Sequence, residues 1–283
     1  RDQHTVSRSF ISEPAKKVLS RLNNAGYEAY LVGGGVRDIL LGGKPKDFDI
    51  ATNATPEEVH DLFRNSRLIG RRFRIVHVLF GREVIEVTTF RGNAAEAEED
   101  DDDDRRTSEH GLLLRDNVYG NLEEDALRRD FTINGLFWDL DTEQVVDHVG
   151  GCADVEAGTI RAIGDPGERF REDRLRMMRA VRFATVLDFP IESATWDAVV
   201  EEASSIDEVS AERIRDEMLK LFRPPHAARG LDLLRDSGLL AHVLPEMMLT
   251  IGCEQSPEYH PEGDVYKHIR LMLDSMAEGA PVA

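Results

Sequence analysis

The sequence predicts an α/β head followed by an all-helical portion, and three observations lead to this fold class. Short apolar runs alternate with capped helical patterns and glycine turns over the first half of the chain. From Ile160 onward the strand signal fades and helical periodicity dominates. The length of 283 residues exceeds a minimal domain and allows about two domains with ample cores.

The elements follow from local signals in chain order. Pro14 near its start and Gly26 after its last apolar residue bracket a first helix. Thr55 and Glu58 form a capping signal for a second short helix. Apolar runs predict strands at residues 27–32, 47–52, 74–80, 83–90, 135–140 and 144–148. Helical periodicity predicts helices at residues 36–41, 123–130, 170–187, 193–202, 210–222 and 226–237. This order predicts a small mixed sheet with helices packed on it, followed by helices alone.

The charge distribution limits the kind of nucleic-acid partner. A formal net charge of −19 argues against a protein that coats nucleic acid indiscriminately. Arginines are nevertheless concentrated at residues 64–74 and 161–182. Arg71, Arg72 and Arg74 are candidate RNA contacts, with ordinary solvated faces as the alternative for both stretches. A local path for RNA is therefore expected.

The cellular location is predicted from targeting signals and cysteine usage. No run approaches the ~20 apolar residues of a membrane helix, and the N-terminus lacks the apolar segment of a signal peptide. Cys152 and Cys253 lie far apart and lack metal-ligand spacing. We expect a cytoplasmic enzyme with no membrane partner, disulfide framework or zinc site.

A glycine turn and a carboxylate pair form the first candidate site. Gly33 and Gly34 follow a predicted strand and let backbone amides approach an anion, to which Arg37 could add a charged fork. Asp47 and Asp49 project from one face of a strand because side chains alternate. Repelling acids at this spacing are typical of a site in which Mg²⁺ bridges carboxylates to substrate phosphates. A turn beside a solvated strand end is the alternative.

Glu86 is the candidate third carboxylate. It lies inside an apolar strand, where an unpaired charge is costly. The alternative is a structural ion pair with Arg82 or Arg91. As a third acid, Glu86 would complete a two-metal site.

Two further motifs carry nucleotide chemistry. Asp130 and Asn134 are predicted to lie one helical turn apart, where a carboxylate and an amide suit ribose hydroxyls, or form only a cap and a salt bridge. Asp173 and Arg176 are predicted to be neighbours near the start of a long helix. A carboxylate accepts from the amine of adenine or cytosine while a guanidinium donates to the adjacent acceptor, and the alternative is a surface ion pair.

Taken in order, these motifs resemble the class II RNA nucleotidyltransferases, the family of bacterial poly(A) polymerases and tRNA nucleotidyltransferases (CCA-adding). The resemblance covers about residues 10–223 and is carried by residues 33–38, 47–49, 128–134 and 172–176. It implies a polymerase-β-like nucleotidyltransferase head with a small mixed sheet, followed by an all-helical neck and body. The implied boundaries are 1–158 for the head, 159–223 for the neck with its base-reading helix and 224–283 for the body.

The resemblance also implies residue roles. Asp47 and Asp49 would bind the two Mg²⁺ ions, and Asp173 and Arg176 would read the base. Arg129, Asp130 and Asn134 would contact the sugar and phosphates of the incoming nucleotide. The nucleotide-binding candidates from the sequence are completed by Gly33, Gly34, Arg37 and Arg179.

Two sets of residues resemble different branches of the family. Residues 68–78 and 115–120 resemble the poly(A) polymerase branch. Residues 260–268 are similar to a segment of CCA-adding relatives that carry a metal-dependent HD-like domain, and we expect here only the start of such a domain. His260, Asp264 and His268 are the corresponding metal-ligand candidates, with a surface helix start as the alternative.

The leading hypothesis is template-independent transfer of AMP from ATP to the 3′ end of an mRNA or tRNA, with two Mg²⁺ ions. The nearest alternative is a tRNA nucleotidyltransferase that completes the CCA end or adds only its terminal A, with CTP as a further substrate. A hypothesis of another class is an inactive RNA- or nucleotide-binding module.

Overall fold

A computed structural model of the chain describes residues 6–70, 74–92, 119–256 and 258–276. The chain divides into two compact units, residues 1–155 and 156–283. No helix within the described ranges combines the length and apolar character that a bilayer crossing requires.

A seven-stranded mixed sheet forms the centre of the first unit. Its strands are β1 (Ala29–Val32), β2 (Asp49–Thr52), β3 (Ser66–Ile69), β4 (Ile75–Phe80), β5 (Glu83–Thr89), β6 (Leu136–Asp139) and β7 (Val145–Asp147). The spatial order is β3-β4-β5-β2-β1-β6-β7. Only the central β2–β5 pair is parallel, and the other neighbours are antiparallel. The predicted small mixed sheet is confirmed.

Helices accompany this sheet. They are α1 (Glu13–Asn24), α2 (Gly34–Leu40), α3 (Pro56–Leu62), α4 (Leu122–Leu127) and α5 (Gly151–Ala157), the last of which includes residues on both sides of the division between the units. Helices α1, α2 and α3 contact its strands. Ser12 caps α1 by accepting from the amide of Ala15, and Thr55 and Glu58 form a complete capping box on α3. These caps satisfy helix-end amides and define where α1 and α3 begin.

The sheet face that carries the carboxylates is anchored by an apolar cluster. Val32, Ala51, Phe90, Ala126 and Phe137 are buried together, and partly buried side chains such as Tyr30 pack against them. Register places Val32 opposite Asp49 on the neighbouring strand. Polar site residues at the strand ends therefore stand on a rigid apolar base.

The second unit is helical. Its remaining helices are α6 (Pro166–Glu172), α7 (Leu175–Leu187), α8 (Ser193–Glu202), α9 (Ala211–Leu221), α10 (Ala227–Asp236), α11 (Leu240–Val243), α12 (Pro245–Met248) and α13 (Val265–Asp274). Helix α7, whose face is largely buried and apolar, contacts both α9 and α10. The predicted helical remainder is confirmed, whereas its division into neck and body stays a prediction.

Several element predictions were wrong in detail. Strand β3 was missed, because its Leu68 and Ile69 are exposed on a sheet edge and give no buried pattern. The single helix predicted at 170–187 is two helices, because Asp173 is extended between α6 and α7. Helix α5 was also missed, and α4 ends at Leu127 rather than at residue 130.

Candidate active site

Two carboxylates meet on adjacent parallel strands in the first unit. Asp49 opens β2 and is the register partner of Glu86 in the middle of β5, so both side chains leave the same face of the sheet. Asp47 lies just before β2, and burial alternates from exposed Asp47 to buried Phe48 to exposed Asp49. The structure thus brings Asp49 and Glu86 together, with Asp47 close enough to act on Asp49 electrostatically.

The electrostatics of this group are those of crowded acids. Desolvation by the surrounding protein, reinforced by the negative charges of Glu86 and Asp47, raises the pKa of Asp49 to about 6, while Arg129 and His77 oppose the shift. Asp49 is nevertheless accessible to solvent, so an ion or ligand can reach it. Glu86 lies beside His77 of β4, with 3.4 Å between Nε2 and Oε2. Hard oxygen donors crowded in this way match what Mg²⁺ requires.

The glycine turn lies directly against the carboxylate segment. Gly33 has φ +69°, a conformation that favours glycine, and its amide donates to the carbonyl of Leu136. A Cβ on Gly35 would stand 3.5 Å from the carbonyl oxygen of Asp47. That distance is an ordinary van der Waals contact, so the positive φ of Gly33 is what favours glycine in this turn. The contact of these glycines with a phosphate stays a prediction.

A buried polar network lies behind the turn. Asn134 accepts from Arg37 through Oδ1 at 2.7 Å and donates from Nδ2 to Asp130 at 3.1 Å. Arg37 also donates to Asp38, with Nη2–Oδ1 2.6 Å. Arg37, Asp130 and Asn134 are buried. The guanidinium of Arg37 thus donates to Asn134 and Asp38, and its contact with a phosphate stays a prediction.

Asp130 and Asn134 are adjacent for a reason other than the predicted one. Asp130 lies beyond the end of α4, and Asn134 ends a single 3₁₀ turn that begins at Thr132. A direct hydrogen bond joins the two side chains instead of a helical turn. The pairing was predicted correctly and the local conformation was not.

Arg129 lies near enough to Asp49 to act on it electrostatically, and other residues fix its guanidinium. Its Nη2 donates to Asp125 at 2.8 Å, and its guanidinium lies over the ring of Phe137, 5.0 Å from the centroid. Asp125 is buried and was missed, although its spacing of four residues before Arg129 on a helix was a readable signal.

In the second unit, the two base-reading candidates have separate partners. Asp173 accepts from Arg213 of α9, with 2.9 Å between Nη2 and Oδ2. Arg176 donates to Glu172 at 2.8 Å and to the carbonyl of Arg169 at 3.2 Å. Arg213 was missed because its contact with Asp173 depends on the packing of α9.

The remaining arginine candidates are placed as follows. Arg179 of α7 lies over the ring of Phe183, 5.4 Å from the centroid. Arg74 forms an ion pair with Glu57 of α3 on the surface. Arg71 and Arg72 lie outside the described residues.

A histidine cluster replaces the metal-ligand set predicted near the end of the chain. The Nδ1 atoms of His260 and His268 lie 3.2 and 2.5 Å from Oε1 of Glu262. These three residues could each offer one ligand atom, all within 4.8 Å of one another. Asp264 is not part of this cluster, because its carboxylate caps α13 through the amide of Lys267 and also accepts from Gly252. The alternative prediction, a helix start at this position, is therefore correct for Asp264.

Comparison with known proteins identifies the family. The family model described as "Poly A polymerase head domain" matches residues 29–161, and "Probable RNA and SrmB- binding site of polymerase A" matches residues 188–249. Poly(A) polymerase I of Salmonella typhi is 51% identical over 245 residues, covering 87% of this chain and 52% of that protein. The chain belongs to the class II RNA nucleotidyltransferases.

Other members of this nucleotidyltransferase family match as well. The CCA-adding enzyme of Lactobacillus helveticus is 44% identical over 225 residues, covering 80% of this chain and 53% of that protein. The crystal structure of the Bacillus stearothermophilus CCA-adding enzyme in complex with CTP is 37% identical with a TM-score of 0.71, covering 83% and 53% of the respective chains. The chain spans about half the length of the curated relatives it matches.

Proposed function

We propose that this protein adds AMP from ATP to the 3′ ends of RNA in the cytoplasm, without a template. The observation that carries the proposal is the adjacency of Asp49 and Glu86 on neighbouring strands, with Asp47 beside them. The 51% identity to a poly(A) polymerase I supports the choice of ATP and of polyadenylation.

The three carboxylates are suited to hold Mg²⁺. Asp47, Asp49 and Glu86 offer hard oxygen ligands, and their mutual repulsion is relieved by a cation. When bound there, Mg²⁺ supplies activation of the RNA 3′-hydroxyl and neutralisation of charge on the departing pyrophosphate. The buried strands and the apolar cluster keep the carboxylates in position before substrate arrives.

The surrounding residues would position the nucleotide. Arg129 supplies positive charge next to Asp49 and would approach the triphosphate, while Asp125 and Phe137 orient it. Asp130 and Asn134 would offer polar atoms to the ribose, with Arg37 fixing the amide of Asn134. Asp173 and Arg176 would read the amine and adjacent acceptor of the base.

Replacement of Asp49 tests the catalytic assignment. We expect Asp49→Asn to lower incorporation of labelled AMP into RNA by at least about 100-fold, because it removes a charge that the transition state requires. Asp61→Asn, at an exposed position on α3, is the matched control and is expected to retain full activity. Undiminished incorporation by the Asp49 variant, with Mg²⁺ present, would contradict the proposal.

Completion of the tRNA CCA end is the second candidate function. It is favoured by the 44% identity to a CCA-adding enzyme, and adenine and cytosine offer Asp173 and Arg176 the same amine-plus-acceptor edge. A tRNA lacking its 3′ end, supplied with ATP and CTP separately and together, separates the two. A long A tail supports polyadenylation, and addition that stops after one to three nucleotides supports tRNA maturation.

The same assay also examines the inactive-module hypothesis. RNA or nucleotide binding without any turnover by the wild-type protein would support that hypothesis and overturn both polymerase functions. The retained acids Asp47, Asp49 and Glu86 argue against it, because repelling carboxylates are unfavourable in a site that needs no cation.

A further inference from the structure

We infer that Arg213 is a positioning residue for nucleotide selection, because it fixes the carboxylate of Asp173 in the orientation in which that carboxylate meets the base. The inference rests on the proposed function, in which Asp173 and Arg176 read the base. It adds a residue from a different helix, α9, to the determinants of specificity.

The contact between these residues is specific in geometry. Nη2 of Arg213 lies 3.2 Å from Oδ1 and 2.9 Å from Oδ2 of Asp173, so one guanidinium nitrogen contacts both carboxylate oxygens. The amide of Leu175 also donates to Oδ1, at 3.2 Å. Rotation of the Asp173 side chain would break both sets of hydrogen bonds. The carboxylate is therefore held in one orientation.

The Asp173 carboxylate keeps acceptor capacity. A carboxylate offers about four lone-pair sites, and within the described part of the chain Oδ2 accepts from Arg213 alone. About a third of the Asp173 side chain is exposed, at 35%. The amine of a base can thus donate a hydrogen bond to Oδ2 without displacing Arg213. Arg213 therefore positions the Asp173 carboxylate and does not block it.

Packing of α9 determines where Arg213 stands. Four residues later on the same face of α9, buried Glu217 accepts from Arg182 of α7, with Nε–Oε2 2.5 Å. This pair ties α9 to the helix that begins just after Asp173. Arg213 is consequently carried by a rigid helix rather than by a loop.

Arg176, the other base-reading candidate, has contacts of its own. It donates to Glu172 and to the carbonyl of Arg169, both from α6. Loss of Arg213 therefore removes the orientation of the acceptor, Asp173, and leaves these two contacts of the donor in place. Because the acceptor side selects for an exocyclic amine, discrimination against guanine and uracil is the property that Arg213 should control.

The experiment compares Arg213→Ala with Arg215→Ala in the full chain, measuring ATP and GTP incorporation. Arg215 lies on the same helix and is exposed, and within the described residues it pairs with neighbouring Asp216 alone. Because both residues are arginines, the two variants lose the same charge. For Arg213→Ala we expect KM for ATP to rise about 10-fold with kcat nearly unchanged, and preference for ATP over GTP to fall about 10-fold. Arg213→Lys should restore part of this preference.

Each outcome bears on the inference. A KM for the RNA primer that stays at the wild-type value supports positioning of the nucleotide rather than contact with RNA. Equal nucleotide preference in the Arg213 and Arg215 variants, with active wild-type protein, overturns the role of Arg213 alone. A lower KM for ATP in Arg213→Ala would mean that Arg213 blocks Asp173, and would also overturn it. Wild-type protein without turnover or ATP binding removes the proposed function and this inference together.

Discussion

At the scale of single residues, Asn134 links two parts of the candidate site that are far apart in sequence. Its carbonyl oxygen accepts from Arg37 of α2, and its amide nitrogen donates to Asp130 beyond α4. An amide can serve a cation and an anion at once because it carries both an acceptor and a donor. Neither aspartate nor leucine, which have similar size, can do the same.

Replacement of Asn134 measures this linkage. We expect Asn134→Ala to lower the free energy of unfolding by about 1–3 kcal/mol, because buried Arg37 and Asp130 each lose a partner. Urea denaturation measures the change. Asn24→Ala, at an exposed position in the last turn of α1, should change stability by less than about 0.5 kcal/mol. Equal stability of the two variants would show that the network is unimportant for folding.

At the scale of elements, the helices of the second unit are joined by a buried ion pair as well as by apolar contact. Glu217 of α9 is 3% exposed and pairs with Arg182 of α7 and with Lys220. Such pairs add little compared with apolar packing, but removal of one member leaves a buried charge poorly compensated.

Removal of Glu217 should therefore be costly. We expect Glu217→Ala to destabilise the protein by about 3–5 kcal/mol, detectable by thermal or urea denaturation. Glu212→Ala on the exposed face of the same helix provides the comparison and should have little effect. A small loss in the Glu217 variant would mean that Arg182 finds another partner easily.

Glu262, in the segment before α13, is expected to make the stability of the protein depend on pH. The pKa of Glu262 is lowered to about 2, first by its own backbone amide and then by hydrogen bonds from His268 and His260. The unfolded chain binds this proton more readily, so the stabilising contribution is complete above the unfolded pKa and disappears as pH falls towards 2. Between pH 5 and 2, wild-type protein should lose more stability than Glu262→Gln. Glu258→Gln should behave as wild type, and identical slopes for all three would refute the effect.

Features with a local sequence pattern could be predicted from the sequence, and contacts that depend on tertiary packing could not. Acids such as Asp49 and Glu86 were found because a charge inside an apolar strand is unusual and the strand pattern gives the face. Their adjacency, however, depends on which strands pair. Arg213 had no local signal, since its partner lies on another helix. Asp173 interrupts a continuous helical pattern because its side chain accepts a hydrogen bond from the amide of Leu175. Such a bond competes with the helical backbone hydrogen bonds, and hydrophobic periodicity gives no signal for it.

At the scale of the whole molecule, the proposed RNA binding has to be reconciled with a net charge of −19. The overall field repels a polyanion, so affinity must come from short-range contacts at basic positions. At one of these basic positions, Arg74, the positive charge is neutralised in the free protein by an ion pair with Glu57. A phosphate would have to compete with that carboxylate.

Salt dependence tests this view of Arg74. Binding of single-stranded oligo(A), followed by fluorescence anisotropy across salt concentrations, should show a slope that falls by roughly 0.7 in Arg74→Ala, the value for one phosphate contact. Lys16→Ala is the control, since Lys16 pairs with Glu13 on α1. An unchanged slope in the Arg74 variant would exclude it from the RNA path, and Glu57→Gln should strengthen binding if Arg74 belongs to it.

The parallel pairing of β2 and β5 has a consequence for folding. Parallel neighbours need a long crossover, here built from α3, β3 and β4, and closing it demands non-local contacts that form slowly. Helices and the β4–β5 hairpin can form early, before Asp49 and Glu86 become neighbours. During refolding, the proposed nucleotide transfer should therefore return with the last, topology-limited phase rather than with the first recovery of helical signal.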